Sequence, residues 1–165
     1  MNAHPLPSGT VTFLFTDIEG STKLSQHYPE QMPALLARHH EILRQAVQAQ
    51  HGYVFQIVGD SFAVAFHAAA DALNAAAQAQ NLLQNEAWAP APIKVRMGIH
   101  TGTAHLSDPS DPNAYTGYAT IATAQRIMSA GHGGQRHRRT HQRTPQAGRA
   151  GHRAGWCNHL KSRRL

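Results

Sequence analysis

Residues Thr10 to Thr22 read Thr-Val-Thr-Phe-Leu-Phe-Thr-Asp-Ile-Glu-Gly-Ser-Thr, and no other stretch constrains the chain as tightly. Val11 to Phe15 is apolar, with the β-branched and aromatic composition of a buried strand. It delivers one carboxylate, Asp17, to its C-terminal end. Gly20, Ser21 and Thr22 follow, where a helix is expected to begin. A strand that ends in an acid and opens a helix through small residues makes a site for a phosphate and a divalent cation. N–H groups at the helix start face the anion, and the carboxylate holds Mg²⁺ or Mn²⁺. On its own, Asp17 reads equally well as an N-cap of that helix.

A second acid is expected beside the first. Tyr53 to Phe66 reads Tyr-Val-Phe-Gln-Ile-Val-Gly-Asp-Ser-Phe-Ala-Val-Ala-Phe, two strand-like runs around Gly59-Asp60. Gly-Asp between such runs is a hairpin signal, with Asp60 at the tip. If the hairpin pairs with the first strand, Asp60 comes level with Asp17. Two carboxylates beside a phosphate cradle suit two-metal phosphoryl transfer. Alone, Asp60 is an ordinary turn aspartate, and Glu19 reads as a solvated loop acid.

The runs Phe-Thr-Asp-Ile-Glu-Gly-Ser-Thr, Val-Gly-Asp-Ser-Phe and Val-Arg-Met-Gly-Ile-His-Thr-Gly, in this order from about Gly9 to Gln135, strongly resemble the class III adenylate/guanylate cyclase catalytic domain of bacteria. The resemblance implies an α+β, ferredoxin-like βαββαβ core, an antiparallel sheet with helices, with the last strands missing or aberrant after Gln135. It implies that Asp17 and Asp60 hold two Mg²⁺ or Mn²⁺ ions and that the main chain of Ile18, Glu19, Gly20, Ser21 and Thr22 cradles the triphosphate. It implies a homodimer with composite active sites acting on ATP or GTP, giving a 3′,5′-cyclic nucleotide and pyrophosphate. Gln56 matches a purine-selecting position; its amide both donates and accepts, so it suits either base. The second selector falls near Ala114–Tyr115, which carry no matching group. Arg126 matches a transition-state arginine, but Ala122 stands four residues before it where the family has an asparagine that orients the ribose. The alternative is a catalytically weak or inactive nucleotide-binding and dimerisation module, or a cyclase fragment.

Composition supports one domain with a core. The chain has 165 residues, of which 41% are hydrophobic. No run of about 18 apolar residues suggests a membrane span. The start, Met-Asn-Ala-His-Pro-Leu-Pro, lacks the order of a secretory leader. One cysteine, Cys157, agrees with a reducing cytoplasm. The net charge of +6 is unevenly spread: residues 1–135 carry six Lys and Arg against all nine acids, whereas residues 136–165 carry nine Lys and Arg and no acid.

Three segments follow: a flexible lead (1–8), the catalytic domain (9–135) and a basic tail (136–165). From Arg136 onward there is no Val, Ile, Phe, Met or Tyr, so the tail is expected to be disordered. It reads as a nucleic-acid-binding arm, as a metal-binding tract through His137 and His141, or as an out-of-frame reading of the original gene. The last is favoured, because Arg, Gly, His, Pro, Ala and Gln dominate from a family landmark on, and a nucleic-acid partner is not expected.

Within the domain, a helix is expected from Ser21, its N-cap, to His27. Another runs from Gln31 to His51 with an apolar stripe of Leu35, Leu36, His39, Leu43, Ala46 and Val47, ended by Gly52. His39 and His40 are expected on the polar edge of that helix. An Ala-rich helix spans 68–86, with Trp88 packing its end. Ile93 to His100 is a strand, with Thr103 to Leu106 pairing back through Gly102. The last helix covers 119–130. All helices are expected on one face of the sheet.

Overall fold

The computed structural model describes residues 6–106, 115–134 and, as a strand, 136–139. Its elements are β1 (Gly9–Ile18), α1 (Ser21–His27), α2 (Met32–Gln48), β2 (Tyr53–Val58), β3 (Ser61–Phe66), α3 (Ala69–Asn85), β4 (Val95–Leu106), β5 (Tyr115–Thr116), α4 (Tyr118–Ser129) and β6 (Arg136–Arg139). The sheet order is β2-β3-β1-β4-β5, with β6 also on β4. All pairings are antiparallel except β4 with β6. This is the α+β architecture expected.

Period-two alternation along β1 divides the core. Leu14 and Ile18 face one side, with Val64 and Phe66 of β3 and Val95, Met97 and Ile99 of β4. Leu35, Ile42, Leu43 and Val47 of α2 and Ala72, Ala75, Ala76 and Ala79 of α3 cover that side. The small α3 side chains let the helix lie close to the strands. Val11, Phe13 and Phe15 face the other side, with Phe55, Ala63 and Ala65, under Ala124 and Met128 of α4. The expectation of helices on one face is therefore corrected: α4 packs opposite α2 and α3. A sheet with large apolar residues at alternate positions on both faces must bury both.

Three local readings change. Gly20, not Ser21, occupies the N-cap of α1, at φ 72°, which a glycine adopts without strain. β4 runs through Gly102 unbroken for 12 residues. That glycine is a packing site, where an added Cβ would lie 2.6 Å from Thr120 Oγ1. His39 is fully buried, not on a polar edge, because its position in α2 shares the face of Leu35, Leu43 and Ala46. The disordered tail expected from Arg136 is also corrected over its first four residues, which form β6 alongside Met97 to His100. Met1 to Pro5 of the expected lead, Ala114 and everything from Thr140 on lie outside the described residues. Trp88 caps the end of α3 as expected, its Nε1 donating to Leu83 O at 2.8 Å.

α4 approaches the sheet closely at Gly98, where an added Cβ would fall on Met128 N and 2.8 Å from Ala124 O. Backbone cannot yield as a flexible side chain can. Gly98→Ala is expected to destabilise the fold by about 1–3 kcal/mol through overpacking, read as a lowered urea midpoint at unchanged m-value.

Candidate functional site

The site forms where β1 ends. Antiparallel register sets Asp17 opposite Arg96 and Ile18 opposite Val95. Arg96 alternates with Val95 and Met97, which point into the α2–α3 side, so its side chain emerges on the opposite face with that of Asp17. The guanidinium grips the carboxylate with two bonds, Nε to Oδ1 at 2.7 Å and Nη2 to Oδ2 at 2.5 Å. Such a fork is the strong form of an Arg–carboxylate pair. It holds the Arg96 proton more tightly than usual, chiefly through the bond to Asp17, with the charges of Glu19 and Asp60 adding to it.

Asp60 arrives from the other side of β1. Val58 pairs with Ser61, leaving Gly59 and Asp60 as a two-residue turn. Gly59 takes φ 58°, the left-handed value required at the first central position of a hairpin turn. Asp60 Oδ2 then accepts the N–H of Ile18 at 2.7 Å. That N–H belongs to the peptide joining Asp17 to Ile18, so the two acids converge on one peptide unit.

The main chain beyond is partly committed. Ile18 N–H serves Asp60, and Glu19 N–H donates to Lys94 O at 2.8 Å. The first intrahelical bond of α1 is Leu24 N–H to Gly20 O at 3.0 Å. Of the expected five-residue cradle, Ile18 and Glu19 have N–H donors engaged within the fold, and Gly20, Ser21 and Thr22 precede the first helical bond. The Glu19 side chain leans toward His132 Nδ1, 4.0 Å away, not toward the two aspartates. Among the described residues no group of three or more His, Cys, Asp or Glu gathers as a metal site; the available hard-oxygen donors are Asp17 and Asp60.

Gln56 sits after an irregularity in β2 and is exposed. It lines a cleft of about 380 Å³ with Phe15, Val58, Ser61, Gln125 and Met128. Arg126 is exposed on α4, one residue from this cleft, and no hydrogen bond or ion pair among the described residues joins it to Asp17 or Asp60. Ala122 lies one turn before it. Tyr115, near the second selector position, is committed elsewhere: its hydroxyl donates to Pro7 O at 2.8 Å, and its ring packs on Phe13 and Phe55.

Sequence reasoning missed Arg96. Its signal was the alternation Val95-Arg96-Met97, which sets one charged side chain at the edge of an apolar strand beside an acid. It also missed what α2 does under the hairpin. Phe62 meets the rings of His39 and His40 edge-on at centroid distances of 6.0 and 5.1 Å.

The chain matches the family model of the adenylate and guanylate cyclase catalytic domain over residues 4–142, and it belongs to that family. An uncharacterised Mycobacterium tuberculosis protein is 38% identical over 132 residues, covering 78% of this chain and 42% of that protein. An adenylate cyclase of Podospora anserina is 31% identical over 154 residues, covering 79% of this chain and 7% of that enzyme. The chain thus spans less than half the length of these relatives. A solved Trypanosoma brucei adenylate cyclase superposes with a TM-score of 0.72 at 27% identity, covering 81% of this chain and 73% of that one. No helix among the described residues is long and apolar enough to cross a membrane.

Burial gives His39 a pH signature. Loss of hydration, with the charge of His40 second, pushes its imidazole down to about 4. Its Nδ1 and Nε2 have no hydrogen-bond partner among the described residues. The unfolded chain takes up this proton near pH 6.5 and the folded chain does not, so stability is full above 6.5 and declines until about pH 4. The loss is expected to be about 3 kcal/mol, seen in urea midpoints across that window. His39→Leu is expected to flatten this part of the profile.

Proposed function

We propose that this domain is a purine nucleotide cyclase that converts ATP, or GTP, to a 3′,5′-cyclic nucleotide and pyrophosphate in cyclic-nucleotide signalling. One observation carries the reading: the Asp60 carboxylate accepts the N–H of the peptide that follows Asp17, which brings both acids to the same end of β1.

The donor set fits two Mg²⁺ or Mn²⁺ ions. Each ionised carboxylate offers about four lone-pair sites. Arg96 occupies one on each oxygen of Asp17, and Ile18 N–H occupies one on Asp60. Acceptor capacity remains on both acids, and such ions are held by one or two carboxylates together with substrate phosphates. Held by Asp17 and Asp60, such ions would lower the pKa of the attacking hydroxyl and offset charge on the phosphates.

The chain's own groups then orient the nucleotide. Asp17 and Asp60 hold the ions. The N–H groups from Gly20 to Thr22, which precede the first helical bond of α1, would face the outer phosphates. Gln56 reads the base edge, and Arg126 of a second copy steadies charge on the α-phosphate. In the reaction the ribose 3′-oxygen bonds to the α-phosphorus, the bond from that phosphorus to the bridging oxygen breaks with its electrons leaving on pyrophosphate, and the hydroxyl proton passes to solvent. A homodimer is part of the proposal. Arg126 makes no bond to Asp17 or Asp60 among the described residues, and Val58 and Tyr118 stay 64% and 84% exposed, apolar surface that a partner can cover.

The second reading, a weak or inactive nucleotide-binding module, is favoured by Ala122, which has no group to hold a ribose. Both readings expect Mn²⁺-dependent nucleotide binding, and they part on turnover.

Purified protein with Mn²⁺ and ATP or GTP is expected to form cyclic nucleotide, followed by chromatography. Asp17→Asn and Asp60→Asn should each lower the rate by about a hundredfold or more. Cyclic product persisting in both variants would overturn the assignment. Ala122→Asn should raise the rate; nucleotide binding without product in either protein would favour the second reading.

A further inference from the structure

The tip carrying Asp60 is held from two sides, and only one belongs to the strands. From β1, Ile18 N–H holds the carboxylate. From α2, His40 Nε2 lies 2.9 Å from Gly59 O, the carbonyl of the peptide joining Gly59 to Asp60. A carbonyl only accepts, so Nε2 carries the proton and donates. The His40 ring is itself fixed, edge-on to Phe62 at 5.1 Å. Phe62 is fully buried two residues beyond Asp60 and takes Arg44 over its ring at 5.9 Å. α2 thereby grips the strand leaving the turn through Phe62 and the turn itself through His40.

We infer that His40 is a positioning residue for Asp60: by donating to Gly59 O it fixes the peptide before Asp60 and so the direction of its carboxylate. The inference rests on the reading of Asp60 as a metal ligand for its consequence, but its geometry is independent of any ion. A two-residue turn with a glycine at its first position has little stiffness of its own, because glycine visits several backbone wells. Without His40 the peptide before Asp60 is free to rotate, and Asp60 spends less time on Ile18 N–H. No step of the reaction touches His40.

The Ile18 amide reports Asp60 directly, because the Asp60 carboxylate is its acceptor. In the full chain without metal, hydrogen exchange at Ile18 is expected to quicken roughly threefold to tenfold in His40→Ala, the range of one modest hydrogen bond. Amides of β1 paired with β4, such as Phe13, should keep their protection. His40→Gln, which retains a donor of similar reach, should restore the slow exchange. Mn²⁺ titration followed by the electron paramagnetic resonance of the free ion should show the same pattern: affinity weakened by a similar factor in His40→Ala, recovered in His40→Gln, and lost in Asp60→Asn. Unchanged Ile18 exchange in His40→Ala, or a change that His40→Gln does not reverse, overturns the inference. Wild-type protein that takes up no Mn²⁺, with the exchange pattern intact, overturns the metal reading alone and leaves His40 as the residue that sets Asp60.

Discussion

The two-sided pairing of β1 is the constraint on which the rest depends. β3 lies on one edge and β4 on the other, both antiparallel. That arrangement brings three charged groups from distant parts of the sequence to one end of the sheet. Asp17 is native to β1, Arg96 comes with β4, and Asp60 comes with the turn before β3. Strand alternation makes the register strict. Moving β4 by one residue along β1 would send Arg96 to the α2–α3 side and bring Val95 or Met97 out. The apolar groups that fill that side therefore hold the site in register too. Phe62, Val64 and Phe66 from β3 and Val95, Met97 and Ile99 from β4 act on the site without touching it.

The opposite face is built for close approach, not for bulk. Ala63, Ala65, Ala104 and Ala124 share it with a cluster of Phe13, Phe15, Phe55 and Tyr115. Gly98 and Gly102 let α4 settle onto β4, with Met128 and Thr120 in the spaces that side chains would otherwise fill. The depth at which α4 sits decides where Gln125 and Arg126 stand relative to Gln56. A shift of α4 would move the cleft wall on one side only, so the glycines of β4 matter to the proposed nucleotide contacts although none borders the cleft. Gly117 works in the same way, capping α4 at φ 117° while a Cβ there would crowd Thr103 O.

Much of this was legible in the sequence, for identifiable reasons. The strand ending in Asp17, the Gly-Asp hairpin and the long helices declared themselves because local signals and tertiary demand agree there. Gly102 misled because a glycine between strand-like runs suggests a turn, while the demand was for space under Thr120, which only the packed structure reveals. The side on which α4 lies is invisible to its own periodicity; it follows from the fact that both faces of β1 are apolar. His39 belongs to an apolar stripe by spacing and to a polar edge by chemistry. The stripe prevailed, since spacing sets the face whatever the side chain's chemistry. Over Arg136 to Arg139 composition argued against order, yet the outer edge of β4 offers backbone donors and acceptors that pair with any sequence.

Arg96 changes how the two acids should be regarded. Carboxylates converging on one peptide repel each other, and a fold that assembles them alone must spend stability to do so. A guanidinium that is always charged removes most of that cost, because it sits within the pair's field and cannot be neutralised. The fork also fixes the plane of the Asp17 carboxylate, as the Ile18 N–H fixes one oxygen of Asp60. Both acids are thus oriented by donors that leave lone pairs unused. A site assembled this way does not wait for a cation to organise it, so little of a ligand's binding energy is diverted into ordering side chains. The same pairing sets a demand on any cation that enters: it must attract Asp17 in the presence of a fixed positive neighbour. A divalent ion, or one arriving with an anionic phosphate, meets that demand far better than a monovalent one. For the proposed cyclase reaction, the charge arrangement at the end of β1 would therefore favour a metal–triphosphate pair over either component by itself.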